Sequence, residues 1–269
     1  MIDFKKAKHA FNEYINLYEN KNQAGYELKV NHTYFVAENS KQIAKSLNLS
    51  QEDIELAEVI GLLHDIGRFE ELKITKEFNS VKFNHALHGS KMLFEQGMIR
   101  NFAQDNQYDN IIKKAIENHS KLNIEDGLDE RTLLHSKIIR DADKIDNFRV
   151  KIDEKIESLF PLRINNIKEI EESTISDKVY QSILNKKCVD IHDRKTSLDN
   201  IICVLAFTFD LNFEISYKIM KEKNYINQII DKFKFTNQET MEKLENIRDI
   251  VNQFIVEKIK AFNDGLNLN

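Results

Sequence analysis

The sequence predicts an all-α protein, and two observations carry this prediction. Only seven Gly and one Pro occur in 269 residues, whereas folds built from many strands and turns need more of these chain-breaking residues. Apolar residues also recur at helical spacing in long stretches, among them 35–47, 108–120 and 239–262. We therefore expect a bundle of helices that is extended by a helical C-terminal part.

Composition and charge narrow the class of protein. Hydrophobic residues make up 41% and charged residues 31% of the chain, which is typical of an ordered globular protein. The net charge of −5 is opposite in sign to that of most nucleic-acid-binding proteins, so nucleic acid is not an expected partner. The longest apolar run, 201–209, is too short to cross a bilayer, and the N-terminus lacks the apolar core of a signal peptide. We expect a cytoplasmic protein with two reduced cysteines, Cys188 and Cys203.

The boundaries of several helices can be placed from local signals. Ser50, followed by Asp53, forms an acidic variant of the capping box and predicts the start of a helix that runs to His64-Asp65. Gly67 is placed to end that helix, and the polar residues 70–84 predict a loop. Further helices are predicted over 85–99, 108–120 and about 130–148, with a polar turn at 121–129.

The C-terminal half offers fewer signals. Pro161 lies in a less regular segment and is interpreted as a subdomain boundary. The apolar stripe along 239–262 is interpreted as core packing, with a homodimer surface as the open alternative.

Histidine next to aspartate is the first chemical signal. His64 and Asp65 follow an apolar stretch, and a buried Asp beside a buried His is costly unless a cation or hydrogen bonds compensate. His119 lies on the apolar face of its helix, a position that suits a structural core histidine as well as a ligand. His85 and His88 are three residues apart and face one way, so either one, or neither, is a ligand.

The segment RDADKIDNF supplies the last carboxylates, Asp141, Asp143 and Asp146. Spacing alone does not decide which of them points inward, and a solvated helical face is the alternative interpretation. In chain order the set is His, His-Asp, His, His, Asp. Imidazoles with carboxylates are the ligands that a catalytic transition metal takes.

This ordered set resembles the HD superfamily of metal-dependent phosphohydrolases. The resemblance covers roughly residues 30–148, and its specific segments are LLHDIGRF and RDADKID. The remaining matches are Asn31-His32, His85–Gly89 (HALHG) and Glu117–His119 (ENH). A second pair, His192-Asp193, is followed by Arg194-Lys195 without Gly and is interpreted as a chance match. The GYP signature of the cyclic-dinucleotide phosphodiesterases is absent from the sequence.

The resemblance implies two divalent ions, drawn from Mn, Fe, Co, Ni or Zn, and it implies which residues hold them. In the family the Asp of the HD pair bridges both ions, which assigns that role to Asp65. The spacing HisxxxGly favours His85 over His88, and a following basic residue favours Asp143 over Asp141. The six implied ligands are His32, His64, Asp65, His85, His119 and Asp143.

The implied reaction is hydrolysis of a phosphate ester, of a nucleotide or a related small molecule, by metal-activated water. Arg68 and Lys144 are expected to neutralise the developing charge beside Asp65, although each could be an ordinary surface cation. We expect a metal-binding domain over 1–150 and a helical part over 151–269 that packs on it as one continuous domain. A di-iron oxygenase with the same ligands is the first alternative function, and a non-catalytic nucleotide-binding module is the second.

Overall fold

Helices dominate the fold. The computed structural model describes residues 2–18, 25–75, 83–159 and 167–265, so the predicted boundary residue Pro161 lies outside the described residues. Within these ranges there is no β-strand, only one antiparallel bridge between Ile2 and Ala103. The predicted all-α fold is confirmed. Among the described helices, none combines the length and the apolar character needed to span a membrane.

The chain divides into two compact units, residues 1–146 and 147–269. Whether they form one continuous domain stays a prediction. The first unit contains α1 (Phe4–Asn16), α2 (Tyr26–Ser46), α3 (Gln51–Leu63), α4 (Gly67–Thr75), α5 (His85–Phe94), a 3-10 helix (Met98–Asn101), α6 (Asp109–His119) and most of α7 (Glu130–Asp153). The second contains α8 (Ile156–Leu159), α9 (Ile167–Glu171), α10 (Asp177–Leu184), α11 (Asp199–Ile202), α12 (Glu214–Glu222), α13 (Tyr225–Asp231), α14 (Gln238–Asn263) and two 3-10 helices (Ile191–Asp193 and Cys203–Asp210).

The start of α3 follows the local signal, but its end does not. The Ser50 hydroxyl accepts a hydrogen bond from the Asp53 amide at 3.1 Å, which satisfies one of the free amides of the first turn. The prediction that Gly67 ends this helix is wrong, because α3 ends at Leu63 and Gly67 begins α4. Residues 70–75 are therefore helical, so the prediction of a loop is wrong for them, and residues 76–82 of the predicted loop lie outside the described residues.

Gly67 serves close packing and not helix termination. A Cβ atom at this position would lie 2.2 Å from the carbonyl oxygen of His85 and 2.8 Å from the amide nitrogen of Gly89. Both distances are far below van der Waals contact. Gly67 therefore lets the start of α4 lie directly against the first turn of α5.

Two other predicted helices have different bounds. α2 begins at Tyr26, well before residue 35, and α5 ends at Phe94, before a separate 3-10 helix. The early start of α2 matters for the site, because it makes the segment around His32 helical.

The core of the first unit is centred on α3. Its residues from Leu56 to Leu63 are all buried, and each fully buried Leu or Ile contributes about 1.5–3 kcal/mol. Helix α2 crosses α3 at Gly61, where a Cβ atom would lie 2.7 Å from Ala37 Cα. This close crossing brings α2 and α3 together along the part of each helix that leads to the histidines.

The second unit has its own core. The apolar run 201–209 forms α11 and the following 3-10 helix, and Cys203 is buried there as a free thiol, as predicted. Helix α14 buries Leu244, Ile247, Val251 and Ile255, which confirms core packing for this side of the predicted stripe. The homodimer surface stays a prediction.

Candidate metal centre

The structure brings together the six side chains that the sequence singled out as ligands. They come from four helices and the turn after α3: His32 from α2, His64 and Asp65 from that turn, His85 from the start of α5, His119 from the end of α6 and Asp143 from α7. All except Asp143 are buried, and the side chain of Asp143 is 19% exposed. This cluster is hereafter called the candidate metal centre, or the centre.

Asp65 lies between two groups of imidazole nitrogens. Its Oδ2 atom is 3.7 Å from Nε2 of both His32 and His64. Its Oδ1 atom is 3.3 Å from Nε2 of His85 and 3.6 Å from Nε2 of His119. The two oxygens of one carboxylate therefore face two different pairs of histidines.

Asp143 completes the first of these two groups. Its Oδ1 atom lies 3.1 Å from His32 Nε2 and 3.8 Å from His64 Nε2. Ligand atoms of His32, His64 and Asp143 lie within 4.8 Å of one another, as do those of His64, Asp65 and His119. Each group has the dimensions of a single-ion site.

Hydrogen bonds at Nδ1 fix the orientation of three imidazole rings. His64 Nδ1 lies 2.7 Å from the Gly61 carbonyl oxygen, and His119 Nδ1 lies 2.7 Å from that of Ile116. Since a carbonyl can only accept, each Nδ1 carries a proton, and in the neutral form of such a ring the lone pair is on Nε2. His32 Nδ1 lies 2.6 Å from the buried carboxylate of Asp146, an arrangement that metal-ligating histidines commonly show.

The free nitrogens fit a bound cation. Nε2 of His64 is buried without a hydrogen-bond partner, a costly state for a polar atom in a protein interior, and Nε2 of His32 faces the Asp143 carboxylate at 3.1 Å. Nε2 of His85 and Nε2 of His119 face each other at 3.1 Å, so either one ring donates a proton to the other or a cation lies between them. Imidazole with carboxylate is a donor set for divalent transition metals.

Burial keeps two of the histidines in the neutral form that binds metal. It lowers the pKa of His64 to about 4 and holds the pKa of His85 well below its usual value. His32 differs. Burial lowers its pKa, but the carboxylates of Asp143 and Asp146 raise the pKa by more than burial lowers it, so the net shift is upward.

The carboxylates of the centre stay ionised because the positive groups around them outweigh the effect of burial. Burial raises the pKa of Asp65, but Lys29, His64 and Arg68 outweigh it and hold that pKa well below its usual value. Burial also raises the pKa of Asp143, and the neighbouring imidazole of His32 reverses that shift. Both groups are therefore available as anionic ligands at neutral pH.

Arg68, predicted to act on charge in the reaction, is engaged by two carboxylates. Its Nε lies 3.3 Å from Asp65 Oδ1, and its Nη1 lies 2.6 Å from Oε2 of the fully buried Glu71. Arg68 therefore holds Asp65 in place. Lys144 is buried directly after Asp143 on α7, and its role stays a prediction.

Three polar residues of the centre were not assigned a role from the sequence: Lys29, Glu71 and Asp146. The Lys29 ammonium lies 2.8 Å from Asp65 Oδ2. Each of the three lies three residues from a predicted site residue on the same helix, so helical spacing from His32, Arg68 and Asp143 could have pointed to them.

The alternatives that the sequence left open have distinct positions. His85 faces Asp65, whereas the ring of His88 lies 4.9 Å from that of Phe83. Asp143 faces the histidines, and Asp141 is fully buried. His192-Asp193 lies in a 3-10 helix of the second unit, where Asp193 pairs with Lys178 at 2.9 Å.

Comparison with known families identifies the same part of the chain. The family model "HD domain" matches residues 30–147, nearly the same span as the resemblance noted in the sequence. No curated protein and no solved structure matches the chain.

Proposed function

Since residues 30–147 match the family model of the HD domain, we propose that the chain is a metal-dependent phosphohydrolase acting on a phosphate ester of a nucleotide or related small molecule. The observation that carries the proposal is the two-sided placement of Asp65 between His32 and His64 on one side and His85 and His119 on the other. A carboxylate so placed can be shared by two cations.

The residues that would hold the two ions divide at Asp65. The first group is His32, His64 and Asp143 with Asp65 Oδ2, and the second is His85 and His119 with Asp65 Oδ1. When bound, a pair of divalent ions supplies Lewis acidity and activates water at neutral pH.

Positive side chains at the centre support an anionic substrate. Lys29 is 13% exposed and Asp143 is 19% exposed, and they are more accessible than the histidines of the centre. Lys29 and Arg68 are similarly exposed, at 13% and 11%, and we propose that the Lys29 ammonium, which is on a flexible stem, is the cation that meets an incoming phosphate. Arg68 is held between Asp65 and Glu71 and acts by keeping the shared carboxylate in position.

Substitution of the shared carboxylate tests the proposal. Asp65→Asn keeps the shape of the side chain but removes its charge, so we expect loss of bound metal and a fall in phosphate release of at least about a hundredfold. Phosphate release is measured over a panel of nucleotides with each divalent metal added, and bound metal is measured by mass spectrometry. Asp193→Asn, in the other His-Asp pair, is the matched control and should keep both properties.

Purification without oxygen separates the rival reactions. Phosphate release under nitrogen supports the hydrolase. Turnover that requires both iron and dioxygen would instead favour an oxygenase with the same ligands, and full turnover by Asp65→Asn without bound metal would refute a metal-dependent reaction.

A further inference from the structure

Arg140 is a buried arginine that binds the end of the helix carrying His119. It lies on α7, one turn before Asp143, and is 2% exposed. Its guanidinium donates hydrogen bonds to main-chain carbonyls at the C-terminus of α6 and in the turn that follows. These are the carbonyls of Asn118 at 2.9 Å, His119 at 3.5 Å, Lys121 at 2.5 Å and Leu122 at 3.1 Å.

The chemistry of a helix end explains why an arginine suits this place. The last carbonyls of a helix have no partner within the helix and carry a partial negative charge. A guanidinium presents several donors in a rigid plane, so one side chain can satisfy several of these carbonyls at once. The buried charge of Arg140 is in turn offset by the carbonyls that it binds.

His119 depends on this arrangement because it is the last residue of α6. Its Nδ1 is bonded to Ile116 in the same helical turn, so the ring moves with that turn. Arg140 ties the turn to α7, the helix that carries Asp143. The position of the His119 ring relative to Asp65 is therefore set in part by Arg140, which binds the main chain of the turn that carries His119.

We infer that Arg140 is a positioning residue that holds His119 against Asp65 and so determines whether the second group of ligands binds its ion. This inference rests on the proposed function, since it assumes that both groups bind metal. It makes occupancy of the second group depend on the contact between α6 and α7.

Manganese titration of two Arg140 variants tests the inference. In Arg140→Gln we expect the second Mn²⁺ to bind about 10- to 100-fold more weakly, the usual effect of losing a group that orients a ligand, while the first Mn²⁺ binds as in the wild type. Arg140→Lys should weaken the second Mn²⁺ less than Arg140→Gln does, because lysine keeps the positive charge. Some weakening should remain, because an ammonium cannot reach all four carbonyls. Thermal unfolding of each variant shows whether it is folded.

Arg131→Gln is the matched control. Arg131 also lies on α7 and ties it to another segment, through Glu52 at 2.6 Å and Asp53 at 2.8 Å. If Arg140 acted only on stability, the two glutamine variants should affect metal binding alike. We expect Arg131→Gln to bind both ions normally.

The outcomes separate this inference from the proposed function. An unchanged second affinity in Arg140→Gln, or an equal weakening of both ions, would overturn the role of Arg140 alone. Wild-type protein that binds two Mn²⁺ and releases no phosphate from any ester would overturn the proposed reaction alone. Wild-type protein that binds fewer than two ions would overturn both.

Discussion

At the scale of single residues, the most demanding feature of the molecule is the burial of Asp65, which is 3% exposed. A carboxylate in a protein interior is very costly unless charge and hydrogen bonds compensate. Lys29 and Arg68 supply the compensating positive charge: Lys29 contacts Asp65 Oδ2, and Arg68 contacts Asp65 Oδ1. Such an expensive group is typical of a functional site, because an apolar side chain would have packed there more favourably.

His135 provides a residue-scale prediction away from the metal ligands. It is buried, its Nε2 lies 3.0 Å from Asp53 Oδ1, and its Nδ1 has no hydrogen-bond partner. Burial and the nearby Arg131 lower its pKa, and the attraction of Asp53 does not reverse the shift. The unfolded chain therefore takes up a proton near pH 6.5 that the folded protein does not.

The sign of the pH dependence follows. Below pH 6.5 the unfolded state binds more protons, so the folded state loses stability as the pH falls, by at most about 1.4 kcal/mol per pH unit. We expect His135→Gln, which cannot titrate, to lose less stability than the wild type between pH 7 and pH 5. The lowered pKa of Asp53 acts only at more acidic pH. Urea unfolding with chelator at pH 7, 6 and 5 measures the difference; a constant or reversed difference would contradict the prediction.

At the scale of residues, the sequence was enough to predict the histidines of the site but not the side chains that orient them. Each of the six proposed ligands belongs to a segment with a local signature, such as LLHDIGRF. The bond between His32 and Asp146, by contrast, joins residues 114 positions apart. No local pattern encodes that pairing, because it exists only after α2 and α7 have packed.

At the scale of elements, the contact between α4 and α5 shows where local signals mislead. Glycine after a helix usually marks its end, and that rule predicted the wrong role for Gly67. Here the glycine is needed because the first turn of α5, with His85 and Gly89, lies against it. Only the tertiary arrangement reveals this requirement, whereas the capping by Ser50 was visible locally because both partners lie in one turn.

Substitution of Gly67 should therefore damage the site as well as the fold. In Gly67→Ala the new Cβ would overlap main-chain atoms of His85 and Gly89, so α5 must move and carry His85 away from Asp65. We expect a loss of stability of roughly 1–3 kcal/mol, as for other overpacked positions, together with weaker metal binding. Chemical unfolding and Mn²⁺ titration measure the two effects.

Gly127→Ala is the control for the Gly67→Ala prediction. Gly127 has a φ of +81° with nothing within 4 Å of an added Cβ, so alanine there costs about 1–2 kcal/mol of backbone strain without displacing a ligand. It should lose stability but bind Mn²⁺ normally. If both variants bound Mn²⁺ like the wild type, the contact between α4 and α5 would not be what positions His85.

At the scale of the whole molecule, all six proposed ligands belong to the first of the two compact units. The sequence predicts two parts, 1–150 and 151–269, but helical patterns continue throughout the chain and give no local signal for the division between them. Nor does the sequence show which helices share a core. The second unit has a core that is built from its own residues, including α13 and α14.

This division predicts which helices metal binding should stabilise. A ligand that binds only the folded state stabilises it by about 2.7 kcal/mol at a concentration one hundred times its dissociation constant. That stabilisation acts on the elements that must be intact for binding, which are α2, α3, α5, α6 and α7. Hydrogen–deuterium exchange with and without saturating Mn²⁺ should therefore show slower exchange in α3 and α6, with little change in α13 and α14. Asp65→Asn should abolish the effect in the first unit, because the shared ligand is lost. Equal slowing in α14 would contradict the prediction by showing that the two units open together, and unchanged exchange at the end of α6 would argue against binding at His119.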